Sequence, residues 1–202
     1  MSKITMGQGL NRAIDEAMAE DEGVILLGED VAAKQGGGVF KISAGLTEKY
    51  GEHRIRATPI SEQAIMGACV GAALTGFRPI AEIMLMNFVT VCMDQIVNHA
   101  ATLHWRTAVP CPITIRLPSG GTAGGGPFHS QSLEALYAHY PGLVVLTPAT
   151  VEDAYAMLLE AVAIDDPVIF CEHKYLYYHL KAAELPSEAM PVGKARVARH
   201  GR

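Results

Sequence analysis

The chain has 202 residues, half of them hydrophobic, enough for one sizeable core and the start of a second domain. Lys+Arg 16 against Asp+Glu 21 gives a net charge of −5, and the absence of a basic run argues against a nucleic-acid partner. The opening MSKITMGQGLNRAIDEAMAEDEG carries early acids and no apolar signal core, which argues against a secretory leader.

In chain order, apolar runs alternate with helical patterns. A helix is expected over 5–20 with Thr5 as its cap, followed by a strand at Val24–Leu27. A helix over 40–50 leads to a strand at Arg54–Thr58. Pro59 then marks a turn into a helix over 61–75, with Ser61 as its cap. Residues 63–76 are uncharged, yet shorter than the ~20 residues a membrane-spanning helix needs. Next come a strand at Pro79–Met84, a helix over 88–105, a strand at Pro112–Leu117 and a helix over 131–138. A strand at Leu143–Thr147, a helix over 151–164 capped by Thr150 and a strand at Pro167–Cys171 complete the pattern. This alternation predicts an α/β fold: a doubly wound, mostly parallel sheet flanked by helices. Ligands in such sheets sit beyond the carboxyl ends of the strands. The segment 181–202 has two prolines and mixed charge, and reads as a linker with Gly193–Ala198 entering another element. Cys69, Cys92, Cys111 and Cys171 have neither CxxC nor metal-finger spacing and read as buried free thiols of a cytoplasmic protein.

Several residues invite a chemical reading, each beside a plainer one. Glu62 stands at the mouth of an otherwise apolar helix. It either meets the positive end of the helix dipole or is a buried acid placed for chemistry. Gly67 and Gly71 share a helical face with Ala64, Ala68 and Ala72, which suits packing on the chain's own sheet or against another subunit. Gly120, Gly121, Gly124, Gly125 and Gly126 form a loop that ends in His129. It is either a flexible connection or a site entrance bearing a proton-transfer group. Phe88, just past a strand end, is a core aromatic or one that stacks on a flat ring. His99, His104, His139 and His173 lack zinc-site spacing.

GEDVA (28–32), RIRATPISEQ (54–63), GFRPIAEI (76–83), NFVTVCMDQIVN (87–98), FHSQSLEALYAHYPGLVV (128–145) and DPVIFCEHK (166–174) occur in an order that resembles one family. It is the beta subunit of the thiamine-diphosphate-dependent 2-oxo acid dehydrogenases, the decarboxylating first component of the lipoyl-linked complexes. The spacing of Glu62, Gly67-Ala68 and Gly71-Ala72 fits that family's cofactor-binding signature.

The resemblance implies a transketolase-like pyrimidine-binding domain over 1–180, with 181–202 as linker and start of a C-terminal transketolase-like domain. Glu62 would hydrogen-bond the pyrimidine ring of thiamine diphosphate. Ile60, Met84 and Phe88 would line that ring, and His129 would assist substrate binding or acyl transfer. The diphosphate and its magnesium would belong to an alpha subunit, since no Gly-Asp-Gly occurs in this chain. Implied partners are that alpha subunit, a second beta subunit, giving two of each, and a lipoyl-bearing acyltransferase. Some relatives hold potassium through backbone carbonyls, and the matching positions are Ile113, Ala161, Val162, Ile164 and Asp166. An ordinary helix end without an ion is the other reading there.

The rival to an enzyme subunit is a truncated, non-catalytic dimerisation module. A nicotinamide-binding domain is disfavoured because no glycine fingerprint follows the first strand. Pyruvate, branched-chain 2-oxo acids and acetoin all stand as substrates.

Overall fold

The computed structural model describes residues 3–122, 124–186, 191–195, 197 and 199–201. The chain starts with β1 (Ile4–Thr5), α1 (Met6–Glu20) and β2 (Val24–Glu29), followed by α2 (Leu46–Tyr50), β3 (Ile55–Thr58), α3 (Glu62–Leu74) and β4 (Arg78–Glu82). A 3₁₀ turn over Met86–Cys92 and a π-helical turn over Gln95–Ala100 run into α4 (Ala101–Thr107). Then come β5 (Thr114–Ser119), α5 (Glu134–Ala138), β6 (Val144–Leu146), α6 (Val151–Ala163), β7 (Val168–His173), α7 (Leu176–His179) and β8 (Lys181–Ala182).

The main sheet has six strands in the order β3-β2-β4-β5-β7-β6, every neighbouring pair parallel. Each strand expected from the sequence is present within it. Strand alternation sorts the side chains. Val24 and Leu26 enter a core with Leu10 and Ile14 of α1 and Leu158 of α6. Ile25 and Leu27 enter a second core with Ile65, Met66 and Cys69 of α3. Fully burying each such aliphatic stabilises by about 1.5–3 kcal/mol relative to leaving it exposed. Two covered faces explain why β2 is an unbroken buried run rather than an alternating one.

Thr5 caps α1 in a reciprocal box: its hydroxyl accepts from Gln8 N at 3.2 Å, and its own N–H donates to Gln8 Oε1 at 2.9 Å. Thr150 accepts from Asp153 N at 3.0 Å. Ser61 departs from expectation: its hydroxyl makes no capping bond. Its ψ is 79°, against 162° and 165° at Thr5 and Thr150, and the hydroxyl is not turned toward the first helical N–H groups. The helix expected over 40–50 is confined to α2, because Lys41 and Gly45 take left-handed φ values of 62° and 82°. The helix expected over 88–105 is broken into 3₁₀, π and α turns. Val89, Thr90 and Val91 bring β-branched side chains to its first turns.

The segment read as linker begins with β8, which pairs antiparallel with β1. Of the element expected at Gly193–Ala198, residues 196 and 198 lie outside the described residues. The described remainder forms neither helix nor strand. All four cysteines are buried and unpaired.

A charge network crosses the sheet beneath its carboxyl ends. Arg116, fully buried on β5, donates to Glu82 of β4 at 2.5 Å and to both carboxylate oxygens of Glu172 on β7 at 2.7 Å. Tyr177 adds a 2.6 Å bond to Glu172. Burial pushes the Glu82 carboxyl up, more than the Arg116 charge pulls it down.

Candidate active site

The segments that follow β2, β3, β4, β5 and β7 all emerge at one end of the sheet, and the candidate residues gather there. Glu62 opens α3 directly after the β3 turn. It is 7% exposed, although its helix lacks a side-chain cap. It stands at the first position of α3, at the positive end of the helix dipole. Beside it lies Glu29, the last residue of β2. Burial pushes the Glu29 carboxyl up, and the charges of Glu62 and Asp30 add to that. Glu29 is in register with Thr58, and Glu29 Oε1 and Thr58 Oγ1 are buried without a hydrogen-bond partner among the described residues. Two orphaned polar atoms beside a buried acid are costly on their own and suit a ligand that brings hydrogen-bonding groups. Cys92 also borders Glu62; burial, then the Glu62 charge, raises its thiol to about 12.

Phe88, half-buried in the 3₁₀ turn, faces the histidine loop. Its ring centroid lies 5.6 Å from that of His129 and 5.9 Å from that of Phe128. His129 Nδ1 lies 3.4 Å from Asn87 Oδ1. Met84 is half-buried after β4, while Ile60 is 84% exposed at the mouth. The site is thus open on the side where Ile60 stands. A Cβ built on Gly67 or Gly71 meets nothing within 4 Å, so these glycines face outward and do not pack on the chain's own sheet. The outer face of α3 is apolar and exposed at Ala64, Ala68 and Leu74.

Ile113 before β5, Ala161 and Val162 in the last turn of α6, and Ile164 and Asp166 between α6 and β7 lie at the opposite end of the sheet. Arg78, at the start of β4, already donates there: to Val162 O at 3.0 Å, to Ile164 O at 3.3 Å and to the Asp165 carboxylate at 2.6 Å. The Ile113 carbonyl accepts from Val168 N at 2.8 Å, and the Asp166 carboxylate pairs with His104 at 2.6 Å. With the guanidinium on two of these carbonyls, the donor set does not fit a potassium ion as well.

Glu29, Thr58, Arg78 and Lys174 were not singled out from the sequence. The pairing of Glu29 with Thr58 is set by strand register, which the sequence does not display.

A parallel sheet of this order, with a buried acid at its carboxyl end, places the chain in a class, and the chain belongs to it: the transketolase pyrimidine-binding domain family, whose model matches residues 2–179. More narrowly, it is 44% identical over 205 residues to the 2-oxoisovalerate dehydrogenase subunit beta of Bacillus subtilis (strain 168), covering 100% of this chain and 62% of that protein. It is 43% identical over 205 residues to the pyruvate dehydrogenase E1 component subunit beta of Acholeplasma laidlawii, with the same shares, 100% and 62%. The 3-methyl-2-oxobutanoate dehydrogenase subunit beta of Mycobacterium tuberculosis (strain CDC 1551 / Oshkosh) is 42% identical over 200 residues, 98% of this chain and 57% of that one. These relatives agree with the family the sequence motifs resemble, and the chain spans only part of their length. A solved split-gene transketolase, an inactive beta4 tetramer, superposes with a TM-score of 0.72 at 20% identity over 96% of this chain and 58% of the other, which is a likeness of fold. Among the described residues no helix is long and apolar enough to cross a membrane.

Proposed function

We propose that this chain is the pyrimidine-binding part of the beta subunit of a 2-oxo acid dehydrogenase. With an alpha subunit it would carry out thiamine-diphosphate-dependent oxidative decarboxylation of a 2-oxo acid and pass the acyl group to a lipoyl acceptor. The observation that carries the reading is Glu62: an acid buried at the carboxyl end of the sheet, its charge raising the Glu29 carboxyl beside it, in a chain 44% identical to a 2-oxoisovalerate dehydrogenase subunit beta.

These residues fit a flat nitrogenous ring. Glu62 would bind a ring nitrogen through its carboxyl, and Glu29 Oε1 and Thr58 Oγ1 stand by with unused hydrogen-bonding capacity. Burial, with the Glu62 charge adding to it, makes Glu29 keep its proton to higher pH than an ordinary carboxyl. Phe88 would offer an aromatic face, and Ile60 and Met84 would flank the ring. When bound, thiamine diphosphate supplies the electron sink for loss of carbon dioxide. The chain's own part would be to bind and orient the ring, meet a ring nitrogen with the Glu62 carboxyl and place His129 at the mouth. Magnesium and the diphosphate fall to the alpha subunit in this reading, because the chain lacks Gly-Asp-Gly.

The outward glycines of α3 and the open side at Ile60 support a close partner on that face, either the alpha subunit or a second beta chain. The non-catalytic module is disfavoured because Glu62, Phe88 and His129 are retained together. A C-terminal domain after residue 180, a cytoplasmic setting and a lipoyl-bearing acyltransferase partner belong to the same proposal. The test is a thiamine diphosphate and magnesium titration of the chain with and without an alpha subunit. Tight binding is expected only in the pair; tight binding by the chain alone would overturn the half-site.

A further inference from the structure

The loop from Gly120 to Gln131 carries His129 away from the end of β5. Its base is tied, Gly120 N donating to Gln131 O at 3.1 Å. Gly120 has φ +74°, and the His173 ring comes within 2.2 Å of where its Cβ would stand, so the loop leaves the sheet directly over that ring. The His129 ring itself is weakly held. Its Asn87 contact is long at 3.4 Å, and Phe128, 5.0 Å away by ring centroid, belongs to the same loop and is mostly exposed.

One contact of another kind reaches this loop. Lys174 donates from Nζ to the His129 carbonyl at 2.5 Å. Lys174 follows β7 directly, and its N–H bonds Ser119 O at 3.0 Å, which ties its backbone to the end of β5. Its side chain is almost wholly enclosed, the residue being 5% exposed, and among the described residues no carboxylate pairs with it. Burial lowers its pKa from the ordinary lysine value. An ammonium buried without a counter-charge is unfavourable, and an apolar side chain would fill the same space without that penalty. What the lysine contributes that an apolar residue does not is a charge-assisted bond to one carbonyl.

We infer that Lys174 is a positioning residue that clamps the backbone at His129 and so fixes the imidazole against Phe88 and Asn87. The functional consequence rests on the proposed role of His129; the clamp does not. Lys174→Met removes the donor at nearly constant volume, and Lys174→Arg keeps a cationic donor. In the full chain, hydrogen–deuterium exchange of a peptide spanning 120–131 is expected to quicken about tenfold in the methionine variant and to return toward the parent in the arginine variant. Exchange in β5 and β7 should stay unchanged. Should the methionine variant not fold, Lys174→Leu, which also removes the donor, gives the same comparison. Unchanged exchange of 120–131 in a folded variant lacking the donor overturns the clamp. In an enzyme assembled with an alpha subunit, Lys174→Met should lower kcat for acylation of a lipoyl domain with little change in KM for the 2-oxo acid. A raised KM with an unaltered loop would make Lys174 a substrate contact and overturn the positioning role. If His129→Ala leaves acylation intact while Lys174→Met still loosens the loop, the clamp stands and the role of His129 fails.

Discussion

Glu62, at the first position of α3, stands close enough to Glu29, at the end of β2, for its charge to act there. Burial pushes the Glu29 carboxyl up, and the Glu62 charge pushes it further. The native state therefore holds the Glu29 proton to higher pH than the unfolded chain does. Between the ordinary carboxyl value and the raised one, the folded chain binds more protons, and stability falls as pH rises through that window. Glu29→Gln removes the penalty. Its melting temperature should exceed the parent's at neutral pH, and the gap should close as pH is lowered into the ordinary carboxylate range. Melts at a series of pH values check this; a variant melting below the parent at neutral pH would count against it.

The same pair bears on turnover. Glu62→Gln keeps the shape of the side chain and removes its proton exchange. In an enzyme assembled with an alpha subunit it should lower decarboxylation by about 10²–10⁴-fold, the range for a positioned acid–base group. Its circular dichroism should match the parent. Near-native turnover in a well-folded variant would remove Glu62 from the chemistry.

The buried network under the site should reveal itself in stability. Arg116→Met would strand Glu82 and Glu172, both buried, without their shared counter-charge. Breaking a buried pair this way costs about 3–5 kcal/mol. Denaturant titration should show that loss, with part recovered when Glu82→Gln and Glu172→Gln are added. A loss below 1 kcal/mol, the ~0–1 kcal/mol scale of an exposed ion pair, would mean that the network adds little to stability.

At the other end of the sheet, Arg78 does what a bound cation would do for the carbonyls of Val162 and Ile164. Exchanging potassium for a bulky organic cation at constant ionic strength should leave the melting temperature of the chain unchanged. Arg78→Ala should lower it and introduce a response to potassium. A potassium-dependent melt in the parent chain would show that the guanidinium yields to the ion.

How much of this was written in the sequence depends on how local each signal is. The six strands and α1, α3 and α6 are carried by contiguous apolar patterns, and Thr5 and Thr150 by cap chemistry within one turn. Glu62, Phe88 and His129 stood out because each directly follows a strand end or ends a glycine-rich loop. Ser61 carries the right residue type for a cap, but with its ψ at 79° its hydroxyl makes no capping bond. The Arg116 network joins three strands far apart in the chain, and Lys174 reaches His129 across 45 residues. Such long-range polar contacts depend on strand order and register, and no local pattern encodes them. The β8 pairing was missed for a similar reason: β1 and β8 contribute two residues each, too few for periodicity to register.

The last expectation separates two duties of His129. The imidazole sits at the end of a glycine-rich loop, packed edge-on against Phe88, and the His129 carbonyl is bound by Lys174. That placement on the loop after β5, beside Phe88, suits contact with an incoming acyl acceptor. The electron sink for decarboxylation belongs to the cofactor and not to the histidine. His129→Ala in the assembled enzyme should therefore hurt the two half-reactions unequally. Carbon dioxide release with an artificial electron acceptor should survive better than reductive acylation of a lipoyl domain, where a general acid–base group contributes about 10²–10⁴-fold. Equal losses in both assays would place His129 in substrate binding or decarboxylation. No loss in either would leave it a loop histidine whose ring merely packs on Phe88.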